Sequence, residues 1–204
     1  MSYVLINHGW SNTRQDGHWQ RHLALALRLA GHDVSYAQYP QTETPFFDDW
    51  SALLVHELKL LHELRDARGD NGEMVVIGHS LGSLNIMKSA LEGRIPAELR
   101  ANRLLLVAPS GQDMLEDITE TFAFDPVELA ASNALNRVAE KVTILASDED
   151  FWLPQGIRAS YTDALGIEPV IMPGAKHFAP GDGYGPWQGV LDWVLDPAAD
   201  LGAR

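Results

Sequence analysis

The chain has 204 residues, 46% of them hydrophobic and 21% charged, a balance that excludes a disordered, collagenous or membrane-embedded protein. A formal charge of −13, from 15 basic against 28 acidic side chains, repels phosphate backbones and argues against a nucleic-acid partner. With no cysteine at all, disulfides, thiolate metal sites and cysteine nucleophiles are excluded, so any nucleophile must be an oxygen or a nitrogen.

No apolar run approaches the roughly 20 residues that span a bilayer, and the opening residues Met1 to His8 lack the basic region of a secretory leader. A cytoplasmic protein with no membrane partner is therefore expected. No internal repeat, low-complexity tract or linker interrupts the sequence, which predicts a single domain over residues 1–204.

The first β-branched run, Tyr3–Asn7, reads as a buried strand, and Trp19, Leu23, Ala26, Leu27 and Ala30 then share one helical face that Gly31 closes. A second strand is predicted at Val34–Gln38, followed by a helical stripe of Phe47, Trp50, Leu54, Leu58 and Leu61. Met74–Ile77 is the third strand, and Leu84, Met87 and Leu91 mark the helix after it, with Gly93 beyond. Strands are also predicted at Arg103–Ala108, Val142–Ala146 and Pro169–Met172. A last helix carries Trp187, Val190, Leu191 and Val194, with Pro186 in its first turn and Pro197 past its end. Strands alternating with helices require right-handed crossovers, so the fold class is α/β, a doubly wound parallel sheet of about six strands. Ligands in such sheets sit at the carboxyl ends of the strands.

The loop after the third strand is Gly78-His79-Ser80-Leu81-Gly82, a Gly-x-Ser-x-Gly between a strand and a helix, which is the setting of a nucleophile elbow. Ser80 would stand on a strained turn, and side chains at 78 and 82 would collide with neighbouring backbone. The helix starting there aims its free amides at Ser80, so the Leu81 N–H can stabilise a developing oxyanion. A serine needs a histidine to take its proton and an acid to orient that histidine, in the chain order Ser, acid, His. Only His177 follows Ser80, in the loop after the last strand. The acid should follow the fifth strand, where Asp148, Glu149 and Asp150 stand together and spacing does not choose among them. The first strand ends in His8-Gly9-Trp10-Ser11 and should lie beside the elbow strand, so an N–H of Trp10 or Ser11 can be the second oxyanion donor. His8 is read as shaping that loop, while His18, His22, His32, His56 and His62 are expected to face solvent. No two histidines show a ligand spacing with a plausible third, so no metal is expected.

These pieces resemble the small serine-hydrolase family of retinoblastoma-binding protein 9 and the YdeN-like bacterial proteins, within the α/β-hydrolase superfamily. The resemblance spans nearly the whole chain and is carried by His18-Trp19, the Gly78–Gly82 elbow, the Ser-x-x-Asp of Ser147 to Asp150, and His177 with Gly183-Tyr184-Gly185-Pro186-Trp187. It implies an α/β-hydrolase fold, for which the chain length leaves no room for a large lid, and Asp150 as the acid. Phe151 stands where the family commonly has proline, and the Leu-x-Cys-x-Glu retinoblastoma-binding motif cannot exist in a chain without cysteine.

The expected function is that of a cofactor-independent serine hydrolase acting on a small ester, amide or thioester, with Ser80 as nucleophile, His177 as base and Asp150 as orienting acid. The alternative is a catalytically silent hydrolase fold that binds or regulates. A flavodoxin-like nucleotide binder would need a phosphate-cradling glycine loop that the sequence lacks. His8, Trp19, His79 and Trp152 are candidates for the substrate pocket, and Trp10, Phe122 and Phe124 are further aromatic residues near it. The stretch Gly111–Glu140 exceeds a minimal crossover and could cover the pocket. Little chain remains for a long acyl groove, so short acyl groups are expected.

Overall fold

In the computed structural model, which describes residues 1–116 and 119–203, six short aliphatic runs pair side by side into one sheet. They are β1 (Ser2–Asn7), β2 (Asp33–Ser35), β3 (Glu73–His79), β4 (Ala101–Val107), β5 (Ala139–Ala146) and β6 (Val170–Ile171), in the order β2-β1-β3-β4-β5-β6, every pair parallel. From β1 the chain steps outward to β2 and then returns to build in the other direction from β3. The β1/β3 boundary is therefore the point where strand order reverses and a ligand crevice is expected.

The helices are α1 (Trp19–Leu29), α2 (Phe47–Ala67), α3 (Leu81–Leu91), α4 (Pro126–Ala131), α5 (Ala134–Val138), α6 (Asp163–Leu165) and α7 (Gln188–Leu195). They cover both faces of the sheet, and the strand sequences show why. Along β3, Met74 and Val76 join a core with Trp50, Leu54, Leu58 and Leu84, while Val75 and Ile77 join a second core with Trp19, Leu23, Leu27 and Val190. Alternate residues point to opposite faces, so a strand apolar at every position must be buried on both. The helical stripe of α2 is buried as its spacing predicts, with Trp50 and Leu54 wholly inaccessible. No helix among the described residues is long and apolar enough to cross a membrane.

Several boundaries differ from the sequence expectation. The second strand stops at Ser35 rather than Gln38, because the chain beyond it braces the first loop instead: the Tyr39 amide donates to His8 Nε2 at 3.0 Å and Gln38 Nε2 to the Asn12 carbonyl at 3.0 Å. The last strand shrinks to Val170–Ile171. The last helix begins at Gln188, since Trp187 stays extended as its cap and sends its indole N–H to the Leu201 carbonyl at 2.9 Å. Two histidines expected in solvent are buried. His18 caps α1 by accepting from the Gln20 amide, and His62 sits on the inner side of α2 with Arg65 donating to its Nδ1.

Candidate active site

At the C-terminal end of β3 the chain turns into α3 through Ser80, whose φ of 54° and ψ of −125° lie outside the usual regions for a side-chain-bearing residue. The Ser80 amide is tied to the Val107 carbonyl of β4 at 3.0 Å, which fixes the turn. The flanking glycines are required by close approach. A Cβ on Gly82 would stand 2.5 Å from the carbonyl oxygens of both Asn7 and His8, and one on Gly78 would stand 2.9 Å from the Ser83 Cα. The result holds the Ser80 hydroxyl over the β1/β3 boundary with the first amides of α3 beside it.

His177 lies in the loop after β6 between two residues with positive φ, Lys176 and Phe178, both at 55°. Side chains from three directions hold this loop. Ser147 Oγ accepts from the Lys176 amide at 2.9 Å, and Asp182 accepts from the amides of His177 and Ala179 at 3.2 and 3.1 Å. His79 Nε2 donates to the His177 carbonyl at 2.9 Å. Burial keeps the His79 pKa well below the ordinary imidazole value, so that ring is neutral and its one N–H is the donor to His177.

The structure brings His177 Nε2 to 2.9 Å from Ser80 Oγ, and His177 Nδ1 to 2.9 and 2.8 Å from the two oxygens of Asp150. The Asp150 carboxylate is fully inaccessible and also accepts from the Trp152 amide at 2.9 Å. Asp148 and Glu149 are exposed. Burial and contact with His177 thus single out Asp150 from the three carboxylates.

A cavity of about 230 Å³ opens over these groups, with Ser80, Leu81, Ser110 and His177 in its wall. Trp10, Met114, Leu115, Glu116, Thr119 and Trp152 form the rest of it. The two indoles meet edge to face at 6.0 Å. Part of the long connection between β4 and β5, Met114 to Glu116 with Thr119, therefore lines the cavity. A larger surface depression, about 480 Å³, lies between α1 and α7 against Leu25, Leu29 and Leu191 and contains none of these groups.

Of the residues expected in the pocket, Trp152 lines it, whereas His8, Trp19 and His79 do not. His8 is wholly buried behind the first loop, where it meets Tyr39 and Trp50 edge-on, and burial pushes its pKa down to about 4. Trp19 packs between His79 and Trp187 in the core beneath the elbow. Phe122 is buried against Phe47 and Trp50, and Phe124 packs on Tyr161. In the first loop, the Ser11 amide is engaged by the Thr42 carbonyl at 3.0 Å, which leaves Trp10 as the residue of that pair whose amide can serve the cavity. The sequence reading missed Ser110, whose hydroxyl stands 3.0 Å from Ser80 Oγ. Among the described residues no group of three or more His, Asp or Glu side chains is placed to hold a metal ion.

A parallel sheet in this order, with a strained serine turn after β3 and a histidine in the loop after β6, defines the α/β-hydrolase class. The chain belongs to the serine hydrolase family, whose model matches residues 4–195. Among solved structures it is similar to the YdeN protein of B. subtilis, with a TM-score of 0.74 and 18% identity over 96% of this chain and 97% of that one. A YdeN-like hydrolase of Pectobacterium atrosepticum gives a TM-score of 0.61 and 19% identity over 96% of this chain and 90% of that one. Est1E of Butyrivibrio proteoclasticus gives a TM-score of 0.61 and 14% identity over 96% and 87%. At these identities the likeness is one of fold. The chain has no match among curated proteins.

Proposed function

We propose that the protein hydrolyses a small carboxylic ester, amide or thioester without a cofactor, through an acyl-enzyme on Ser80. The observation that carries this reading is the continuous chain from Asp150 through His177 to Ser80, at 2.8 and 2.9 Å. Asp150 can only accept, so it holds the imidazole proton on Nδ1 and leaves the Nε2 lone pair facing the Ser80 hydroxyl. As Ser80 Oγ bonds to the substrate carbonyl carbon, its proton passes to Nε2, and the buried carboxylate stabilises the imidazolium. The Leu81 and Trp10 amides receive the carbonyl oxygen as it becomes negative. The bond to the leaving group then breaks and the Nε2 proton goes with that group. Water repeats the sequence: it gives a proton to Nε2 and its oxygen to the carbonyl carbon, and the departing Ser80 oxygen takes the proton back.

An ester is favoured within this substrate class by two of the structural neighbours. One belongs to the work on LipS and LipT, described as lipolytic enzymes among lipase and esterase families, and another is a monoacylglycerol lipase of Paleococcus ferrophilus. The cavity of about 230 Å³ favours a short acyl group. Reaction with a fluorophosphonate followed by intact-mass analysis tests the reading. One adduct on Ser80 is expected, together with a loss of turnover on the order of 10⁴ to 10⁶ in Ser80→Ala and an unchanged melting temperature. An adduct on another residue, or equal turnover by Ser80→Ala, would overturn it.

A further inference from the structure

The loops after β3 and β4 are strained in the same way. Ser80 follows β3 with a φ of 54°, and Ala108 follows β4 with a φ of 43°. Positive φ at a residue with a side chain costs on the order of 1–3 kcal/mol and persists only where surrounding contacts impose it. The Ala108 amide donates a hydrogen bond to the Leu145 carbonyl at 2.8 Å, which holds this turn against β5. The turn that results leads through Pro109 to Ser110, whose hydroxyl lies 3.0 Å from Ser80 Oγ.

The main chain around Ser110 is held firmly. Tyr161, wholly buried in a π-helical turn at Arg158–Thr162, donates its hydroxyl to the Ser110 carbonyl and accepts from Gln112 Nε2 at 3.0 Å. The Gly111 amide donates to the Trp152 carbonyl at 2.7 Å. Ser110 is only 6% exposed, and its hydroxyl stands in the cavity wall with Ser80 Oγ beside it. Nothing in the acyl-enzyme sequence above uses it.

Proton accounting gives the direction of the Ser80–Ser110 bond. Asp150 keeps the His177 proton on Nδ1, so Nε2 is an acceptor and takes the one hydroxyl hydrogen of Ser80. Ser80 Oγ then has no hydrogen left to give Ser110, and the bond between them requires Ser110 to donate.

We propose that Ser110 is a further catalytic residue, a donor to Ser80 Oγ that stabilises the negative charge on this oxygen as it attacks and again as it departs. The inference rests on Ser80 being the nucleophile. The donor makes no bond to substrate and keeps its own proton throughout. In acylation it favours the state in which the Ser80 proton has moved to His177. In deacylation it favours the Ser80 oxygen leaving the tetrahedral intermediate before His177 returns the proton. Before acylation the same oxygen is a neutral hydroxyl oxygen and before deacylation a neutral ester oxygen, both poorer acceptors than the oxygen carrying negative charge, so the bond is stronger near each transition state than in the ground state that precedes it. Such a difference accelerates both half-reactions.

Ser110→Ala removes the hydroxyl and leaves every main-chain contact of the loop in place, while Ser110→Thr keeps a hydroxyl there. The measurements are the second-order rate of fluorophosphonate reaction at Ser80, kcat and KM on p-nitrophenyl acetate, and the melting temperature. Charge-assisted hydrogen bonds lead to an expected loss of about ten- to a hundredfold in both the labelling rate and kcat for Ser110→Ala. KM and melting temperature should change little, and Ser110→Thr should recover much of the rate. Wild-type labelling and turnover in Ser110→Ala would overturn the role of Ser110 alone, as would equal losses in both variants that follow a fall in melting temperature. A wild-type protein that fails to label at Ser80 would instead remove the nucleophile on which the inference stands.

Discussion

The carboxylate of Asp148 accepts from the amide of Gly174 at 2.8 Å, tying the loop after β5 to the turn three residues ahead of His177. Two positions later in the same loop, Asp150 meets the imidazole itself. The exposed acid fastens the backbone, and the buried one faces the ring.

Asp150→Asn and Asp148→Asn should therefore behave very differently. An amide at 150 no longer compels the proton onto Nδ1 or steadies the imidazolium, and the expected loss of turnover is roughly 10³ to 10⁴. An amide at 148 still offers an oxygen to Gly174, so less than about a twofold change is expected there. Steady-state rates of the two variants measured side by side decide it, and the reverse ranking would reassign the acid.

Stability should fall on mild acidification because of buried imidazoles that do not line the cavity. An unfolded chain protonates its histidines below about 6.5, whereas burial holds His8 and His18 neutral down to about 4. Between these limits the unfolded state binds more protons, so the free energy of unfolding declines as pH falls and levels off once the folded imidazoles protonate. Each shift amounts to roughly 3 kcal/mol at most. Urea midpoints at pH 7 and pH 4.5 should differ accordingly, and His8→Gln should show a shallower dependence whatever its midpoint at pH 7. Parallel pH curves for the two proteins would refute the account.

Turnover across p-nitrophenyl esters should peak at short acyl chains. A chain that outgrows the cavity of about 230 Å³ leaves methylenes in water or forces Trp10 and Trp152 apart, and each methylene left unburied forfeits about 0.8 kcal/mol. The test is kcat/KM from acetate to palmitate, and a steady rise toward palmitate is the result that contradicts a compact acyl site.

Arg103→Met should weaken the fold without touching catalysis. The buried guanidinium donates to the carbonyls of Trp193 and Val194 at 2.6 and 2.7 Å, and to Glu73 at 2.6 Å. Those carbonyls belong to the last turn of α7, where the helix itself provides no partners. Leaving them buried and unpaired is expected to cost about 2–4 kcal/mol. Arg103 lies near the start of β4 and Ser110 beyond its end, so kcat should stay at the wild-type value; chemical denaturation and a rate assay on one preparation check both halves.

The sheet and the elbow were legible because their signals are local. Strand runs apolar at every position and the Gly78–Gly82 spacing each report a nearby constraint. His177 was legible by elimination, since no other histidine follows Ser80. The choice of Asp150 needed the Ser-x-x-Asp resemblance, because what separates it from Asp148 is burial, and spacing does not encode burial. Ser110 was not legible at all. Pro109-Ser110-Gly111 spells an ordinary turn, and what directs its hydroxyl to Ser80 is the positive φ of Ala108, a residue type that gives no hint of it. The placement of His18 and Trp19 beneath the elbow depends on how α1 crosses the sheet, a long-range property that a helical stripe does not specify.

The distribution of the indoles gives the molecule a built-in optical reporter. Of the six tryptophans in the chain, Trp19, Trp50, Trp187 and Trp193 are sealed in the two cores, while Trp10 and Trp152 meet edge to face in the cavity wall. Emission from the first four registers the integrity of the packed state, and emission from the last two responds to whatever enters the cavity they line. Replacing Trp10 or Trp152 by phenylalanine one at a time would assign the responsive component, so that occupancy and unfolding could be followed as separate signals in one unlabelled sample.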